Sequence, residues 1–123
     1  MSWTDATLAD FGRQLGIDGL AFGPGGFVQF DWRDGAVLGI HRGSEDVSIY
    51  LVRQLDYDRP PVLRRALQLC DWRNGWPFAV QAGLLGDAEL VFSARLPERD
   101  FTLPALEQAV ELLGRLHEQS RGQ

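Results

Sequence analysis

The clearest hydrophobic pattern lies in the last third of the chain. Residues 76–84 and 89–96 alternate apolar with small or polar side chains, which predicts a two-stranded hairpin that turns at Gly86-Asp87. From Thr102 to Gln119, apolar residues occupy one half of a helical wheel and charged residues the other, which predicts an amphipathic helix. Phe101 and Leu106 form a hydrophobic staple that fixes where this helix begins.

The first half of the chain predicts one helix followed by three strands. The helix runs from Thr4 or Asp5 to Leu15, with Thr4 as the N-cap. The Asp34-Gly35 pair predicts a type I′ hairpin turn, because glycine tolerates a positive φ. The third strand is apolar on both faces, so we expect it away from the sheet edge. The three strands are predicted at Phe27–Trp32, Ala36–Arg42 and Val47–Leu55.

A second helix, which begins near Asp58-Arg59-Pro60-Pro61, has an unusually broad apolar side. Its apolar residues cover an arc of about 160°, whereas one core-facing stripe needs about 100°. We therefore expect it to pack on its own sheet and on a second subunit. The arc contains Val62, Leu63, Ala66, Leu67, Leu69 and Cys70.

These elements give the order α-β-β-β-α-β-β-α, which predicts an α+β fold with a twisted antiparallel sheet packed by helices. The 123 residues are enough for one domain, residues 1–123. A net charge of −5 disfavours nucleic-acid and anionic-membrane partners, which need clustered cations. We also expect no signal peptide and no membrane-spanning segment, because no apolar run approaches about 20 residues.

The candidate reactive residues are few and scattered. Cys70 is the only cysteine, and the two histidines, His41 and His117, match no local catalytic or metal-binding signature. The Gly23–Gly26 segment precedes a strand, whereas a phosphate loop opens a helix. We therefore predict no catalytic residue, cofactor or metal. The four tryptophans, seven phenylalanines and two tyrosines favour a protein-interaction surface instead.

Several short segments resemble one family, the class I chaperones of bacterial type III secretion, and within it the SycN-type chaperones. The order of elements, the length and the acidic charge also agree with that family. The similar segments are Met1-Ser2-Trp3, Phe11 to Gly16, Ala82 to Asp87 and, most densely, Leu96 to Ala109.

The resemblance implies a CesT/SycE-like fold and a dimeric, cytoplasmic protein without enzymatic activity. SycN-type chaperones pair with a YscB-type chaperone and bind an N-terminal segment of a YopN-type gatekeeper, a virulence-associated protein that blocks export until host contact. The implied location is the cytoplasm. The resemblance also allows a peripheral position at the inner membrane, near the export apparatus. Two alternatives remain open: a homodimeric chaperone of another effector, and a small thiol-dependent hydrolase that uses Cys70.

The resemblance also assigns two sets of site residues. Family dimers associate through the second helix and the strand after it, and cargo lies on the first helix and nearby sheet surfaces. The implied dimer residues are Leu63, Leu67, Cys70, Trp76, Phe78 and Val80. The implied cargo residues are Leu8, Phe11, Leu15, Leu20, Phe22, Phe30 and Trp32.

Overall fold

The computed structural model describes residues 2–55, 59–86 and 88–121 and confirms the predicted order of elements. The helices are α1 (Trp3–Gln14), α2 (Arg59–Leu69) and α3 (Leu103–Ser120). The strands are β1 (Phe27–Asp31), β2 (Val37–Arg42), β3 (Asp46–Gln54), β4 (Ala79–Leu85) and β5 (Glu89–Pro97). The predicted cap at Asp58 and part of the Gly86-Asp87 turn fall outside the described residues.

The five strands form one antiparallel sheet in the order β1-β2-β3-β5-β4. β3 lies at its centre, as its two apolar faces predicted, and β1 and β4 are the edge strands. Asp34 and Gly35 both have positive φ angles, 58° and 77°, as a type I′ turn requires. Next to the turn, the Ala36 amide donates to the Arg33 carbonyl and the Trp32 amide donates to the Ala36 carbonyl, so that Asp31 pairs with Val37.

One face of the sheet carries the core, and α3 packs on β3 and β5 while α1 and α2 flank it. Residues that alternate along these strands are almost completely buried there, whereas their neighbours on the other face are more exposed. The fully buried side chains include Ile49, Leu51, Phe92, Leu106, Leu113 and Leu116. The three-residue and four-residue spacing of the α3 leucines therefore predicted its buried side correctly.

Two predicted boundaries are wrong by two or more residues, and several others differ by one residue. The N-cap of α1 is Ser2, not Thr4: the Ser2 hydroxyl accepts from the Asp5 amide (3.4 Å), and the Asp5 carboxylate accepts from the Ser2 amide (3.1 Å). β4 begins at Ala79, not Trp76, because the Trp76 indole donates to the Leu69 carbonyl (2.5 Å). Trp76 is thereby attached to the end of α2 instead of to the strand ladder.

Candidate functional site

The first candidate surface joins α2 to the beginning of β4, and its six residues are those predicted for the dimer. We call it the α2–β4 surface. Leu67 is 56% exposed, and the other five side chains are partly buried. They pack against the core on one side only, so their outer sides are open to a partner. The surface consists of Leu63, Leu67, Cys70, Trp76, Phe78 and Val80.

Two neighbouring features extend the α2–β4 surface. β4 pairs only with β5 in the described sheet, so its outer edge presents unpaired backbone groups. Beyond α2, Asp71 caps a short turn by accepting from the Arg73 amide (2.9 Å), and this turn carries Trp72, which is 86% exposed. Trp72 therefore adds exposed apolar area next to the end of α2.

The second candidate site is a cleft of about 600 Å³ between α1, α3 and the β1–β2 turn. Phe11 and Trp32 stack at one side of it with ring centroids 6.0 Å apart, and Leu15 lies beside them. Arg53 at the end of β3 also lines it and lies 3.6 Å from the Asp34 carboxylate. We call this site the α1–α3 cleft.

The cleft brings together three of the seven residues predicted to bind cargo. Phe11, Leu15 and Trp32 line it, although Phe11 is only 4% exposed. Leu8 is fully buried in the core, so it supports the site only through packing. Leu20, Phe22 and Phe30 are partly buried and lie outside the cleft lining. The cargo assignment of the seven residues stays a prediction.

Arg42 joins the first turn of α1 to the loop that precedes β1. Its guanidinium donates to Asp5 Oδ1 (2.9 Å) and Thr4 Oγ1 (3.1 Å), and it lies 4.5 Å from the centroid of the Phe22 ring. Hydrogen bonds from Ser2, with a further contribution from Arg42, lower the pKa of Asp5. One side chain therefore fixes α1, β2 and Phe22 relative to one another.

The groups considered for catalysis have structural roles. Burial raises the pKa of the Cys70 thiol to about 11, which disfavours the thiolate that a nucleophile needs. The His117 ring is almost completely buried, and its Nε2 lies 2.7 Å from the Leu51 carbonyl oxygen, to which it donates as the neutral ring. Among the described residues, no group of three histidine, cysteine or carboxylate side chains is arranged to hold a metal ion.

In the part of the chain that the structure describes, no helix is both long enough and apolar enough to cross a bilayer.

Sequence reasoning missed the third wall of the α1–α3 cleft. This wall is the exposed side of α3, whose glutamates were taken only as the polar half of an amphipathic helix. The proximity of α1 and α3 depends on tertiary packing, which the local pattern does not encode. The wall consists of Glu107, Val110, Glu111, Gly114, Arg115 and Glu118.

Comparisons with known proteins agree on one family. The family model described as "Type III secretory system chaperone SycN" matches residues 3–120. The chaperone protein SycN of Yersinia enterocolitica serotype O:8 / biotype 1B is 29% identical over 121 residues, which are 97% of each chain. SycN of Yersinia pseudotuberculosis serotype I gives the same identity and coverage.

Solved structures agree in fold. A chain of the ExsC-ExsE complex superposes with a TM-score of 0.77 at 16% identity, covering 98% of this chain and 92% of that one. A chain of the HopA1-SchA chaperone-effector complex superposes with a TM-score of 0.70 at 19% identity, covering 99% and 96%. The three helices and five antiparallel strands are therefore an arrangement found in known chaperone structures.

Proposed function

Because the chain belongs to the SycN family of type III secretory system chaperones, which are not enzymes, we propose which partners it binds. It pairs with a different chaperone of the YscB type, and the pair binds an N-terminal segment of a YopN-type gatekeeper. Binding shields the apolar side chains of the cargo and keeps it competent for export. The pair acts in the cytoplasm and delivers its cargo to the export apparatus at the inner membrane.

The observation that supports this proposal is the presence of two separate candidate sites, the α2–β4 surface and the α1–α3 cleft, in one small fold. The α2–β4 surface lies at the β4 end, and the α1–α3 cleft lies beside the turn that joins β1 to β2. A chaperone that binds a second subunit and an extended cargo at the same time needs two such features.

The α2–β4 surface suits the second chaperone. Interfaces between folded proteins centre on aromatic side chains that lose their remaining exposure on contact. Trp76 and Phe78 meet that description, because each packs against the core and is only partly buried, and Leu67 of the same surface is 56% exposed. Burying them removes apolar area from water at roughly 25 cal/mol per Å².

The charge of α2 favours a partner that is not a second copy. This helix contains Arg59, Arg64 and Arg65 and no aspartate or glutamate, in a chain whose net charge is −5. A two-fold homodimer would bring this helix against its own copy and place arginine near arginine. A YscB-type partner with carboxylates on the matching face avoids that repulsion.

The α1–α3 cleft suits an extended cargo segment. Apolar side chains of the cargo lie against Leu15 and Trp32 in the cleft. Outside the cleft lining, the cargo backbone pairs with the free edge of β1. Coupled binding and ordering of a segment typically buries on the order of 1,000–3,000 Å².

The proposal is tested with the host's own YscB-type chaperone and gatekeeper. Light scattering measures the mass of the chain alone and after co-expression with the YscB-type chaperone, and co-purification then measures capture of the N-terminal gatekeeper segment. We expect a one-to-one chaperone pair that retains the segment. A stable homodimer that ignores the YscB-type chain would support the homodimeric alternative.

One substitution separates the cleft from the fold. Leu15→Asp places a charge on a partly buried side chain at the end of α1, so we expect a folded pair that binds cargo about tenfold more weakly. Ala21→Asp, on an exposed residue outside the cleft lining, is the matched control. Phe11→Asp is unsuitable, because Phe11 is 4% exposed and a charge there would unfold the chain. Equal cargo binding by Leu15→Asp and Ala21→Asp would show that α1 is not part of the cargo site.

A further inference from the structure

Two glycines interrupt helices of this protein, and only one is explained by the fold. At Gly12 in α1, an added Cβ would lie 2.6 Å from the Leu20 Cβ and 2.9 Å from the Ile17 carbonyl oxygen. Gly12 therefore lets the following loop close over the helix. At Gly114 in α3, no atom of the described residues lies within 4 Å of an added Cβ, apart from its chain neighbours and the backbone of its own helix.

Gly114 thus weakens α3 without a packing reason inside the described chain. Glycine in the middle of a helix is destabilising relative to alanine, because its backbone loses more freedom on folding. Its common use elsewhere is to let another backbone approach closely. Gly114 lies in the lining of the α1–α3 cleft, so the space above it is open to a second molecule.

The α3 wall around Gly114 is acidic. Glu107, Glu111 and Glu118 all line the cleft, and they recur on one side of the helix at spacings of four and seven residues. None of the three lies within salt-bridge distance of a cation among the described residues.

The cations across the cleft have other contacts. Arg33 lies over the Trp32 ring, 5.3 Å from its centroid, and Arg53 pairs with Asp34. Arg115 is the remaining cation on the α3 wall, so the three glutamates leave this wall with a net negative charge.

We propose that a cargo segment crosses the cleft with its backbone close to Gly114 and at least one lysine or arginine against the glutamate row. An apolar side chain of the same segment lies at the Phe11–Trp32 end. The segment that this chaperone recognises is therefore apolar and basic, and α3 selects it together with α1. This inference rests on the proposed function, because it requires that cargo enters the α1–α3 cleft.

The first test adds volume at Gly114. In complex with its partner, Gly114→Ala should raise the thermal midpoint by a few degrees through helix propensity and still weaken binding of the N-terminal gatekeeper segment. Gly114→Leu should weaken that binding about tenfold or more, because the added side chain fills the path of the cargo. Gln108→Ala and Gln108→Leu, on an exposed residue outside the cleft lining, are matched controls that should bind normally.

The second test removes the negative charge of the wall. The triple variant Glu107→Gln, Glu111→Gln and Glu118→Gln should bind the gatekeeper segment several-fold more weakly at low salt and should lose most of the salt dependence of binding. The control variant Glu45→Gln, Glu98→Gln and Asp100→Asn has the same net charge and should keep both.

The outcomes separate the inference from the proposed function. If the wild-type pair does not bind the gatekeeper segment, the proposed function is wrong and the inference is overturned with it. If Leu15→Asp loses cargo while Gly114→Leu binds like wild type, cargo uses α1 without crossing α3, and only the inference is overturned. An unchanged salt dependence in the triple glutamine variant would likewise overturn the proposal that the segment is basic.

Discussion

The α2–β4 surface and the α1–α3 cleft are built on the same sheet, yet they differ in shape and charge. The first presents outward-facing apolar side chains, with Leu67 more than half exposed. The second is concave, and its aromatic side faces a row of glutamates. An apolar surface fits another folded chain, whereas a cleft with separated apolar and charged walls fits a single segment. Under the proposed function, this difference would let one small fold bind two partners of different kinds without competition.

The largest effect is expected from a charge on the α2–β4 surface. Leu67→Asp should weaken association with the second chaperone at least about 100-fold, because the carboxylate would have to be desolvated in an apolar contact. The chain should remain folded, since Leu67 is 56% exposed. Analytical ultracentrifugation measures the association, and Gln68→Asp is the control on the adjacent exposed position. Undiminished pairing by Leu67→Asp would mean that the α2–β4 surface does not bind the second chaperone.

The second largest effect is expected on stability in acid, through His117 of α3, the helix that forms one wall of the cleft. Burial lowers the pKa of His117 to about 4, below the ordinary value of 6.5, even though its hydrogen bond to the Leu51 carbonyl acts in the opposite direction. The unfolded chain therefore binds a proton that the folded chain does not bind between pH 6.5 and pH 4. Folding stability from this group is present above pH 6.5 and is lost as the pH falls toward 4.

We expect His117 to account for about 2–3 kcal/mol of the stability lost between pH 7 and pH 4.5. His117→Gln keeps a hydrogen-bond donor but cannot titrate, so its urea-unfolding free energy should fall less over that interval. Equal losses in the variant and the wild type would show that other groups control the acid response. The loss of unfolding free energy in acid would then not depend on α3 in particular.

The smallest effect should mark the limit of the α2–β4 surface. Trp72 is 86% exposed, so Trp72→Ala should change the unfolding free energy by less than about 0.5 kcal/mol. If Trp72 belongs to the interface, the same variant should weaken chaperone pairing about fivefold to tenfold. Surface plasmon resonance with the immobilised YscB-type chaperone measures this change, with Arg73→Ala as the neighbouring control. Unchanged affinity would mean that the α2–β4 surface does not extend from Trp76 to Trp72.

The order of elements could be predicted because each strand and helix has its own hydrophobic period. β3 was placed in the sheet interior from its two apolar faces, and the Asp34-Gly35 turn was recognised from the positive φ that it requires. The cap of α1 was missed although Asp5 follows Ser2 by three residues, which is a capping-box signal. Thr4, the residue chosen instead, is fully buried and binds Arg42.

The sites were less predictable, because they depend on which elements meet in space. The alternating pattern around Trp76 is that of a strand, but the Trp76 indole donates to the Leu69 carbonyl at the end of α2, and the strand begins only at Ala79. Leu8 and Phe11 form the stripe expected of α1, but the pattern alone does not distinguish a stripe buried in the core from one that binds a partner. The α3 glutamates line a cleft only because α1 and the β1–β2 turn complete it.

The position of β5 has a consequence for the newly made protein. This late strand lies between β3 and β4, so the sheet is complete only after the ribosome has synthesised residues through Pro97. Until then β3 is an open edge, and β4 has no partner strand in the sheet. Neither the α2–β4 surface nor the α1–α3 cleft is therefore complete during translation of the first three quarters of the chain. Assembly of the complex should begin from completed, released polypeptides.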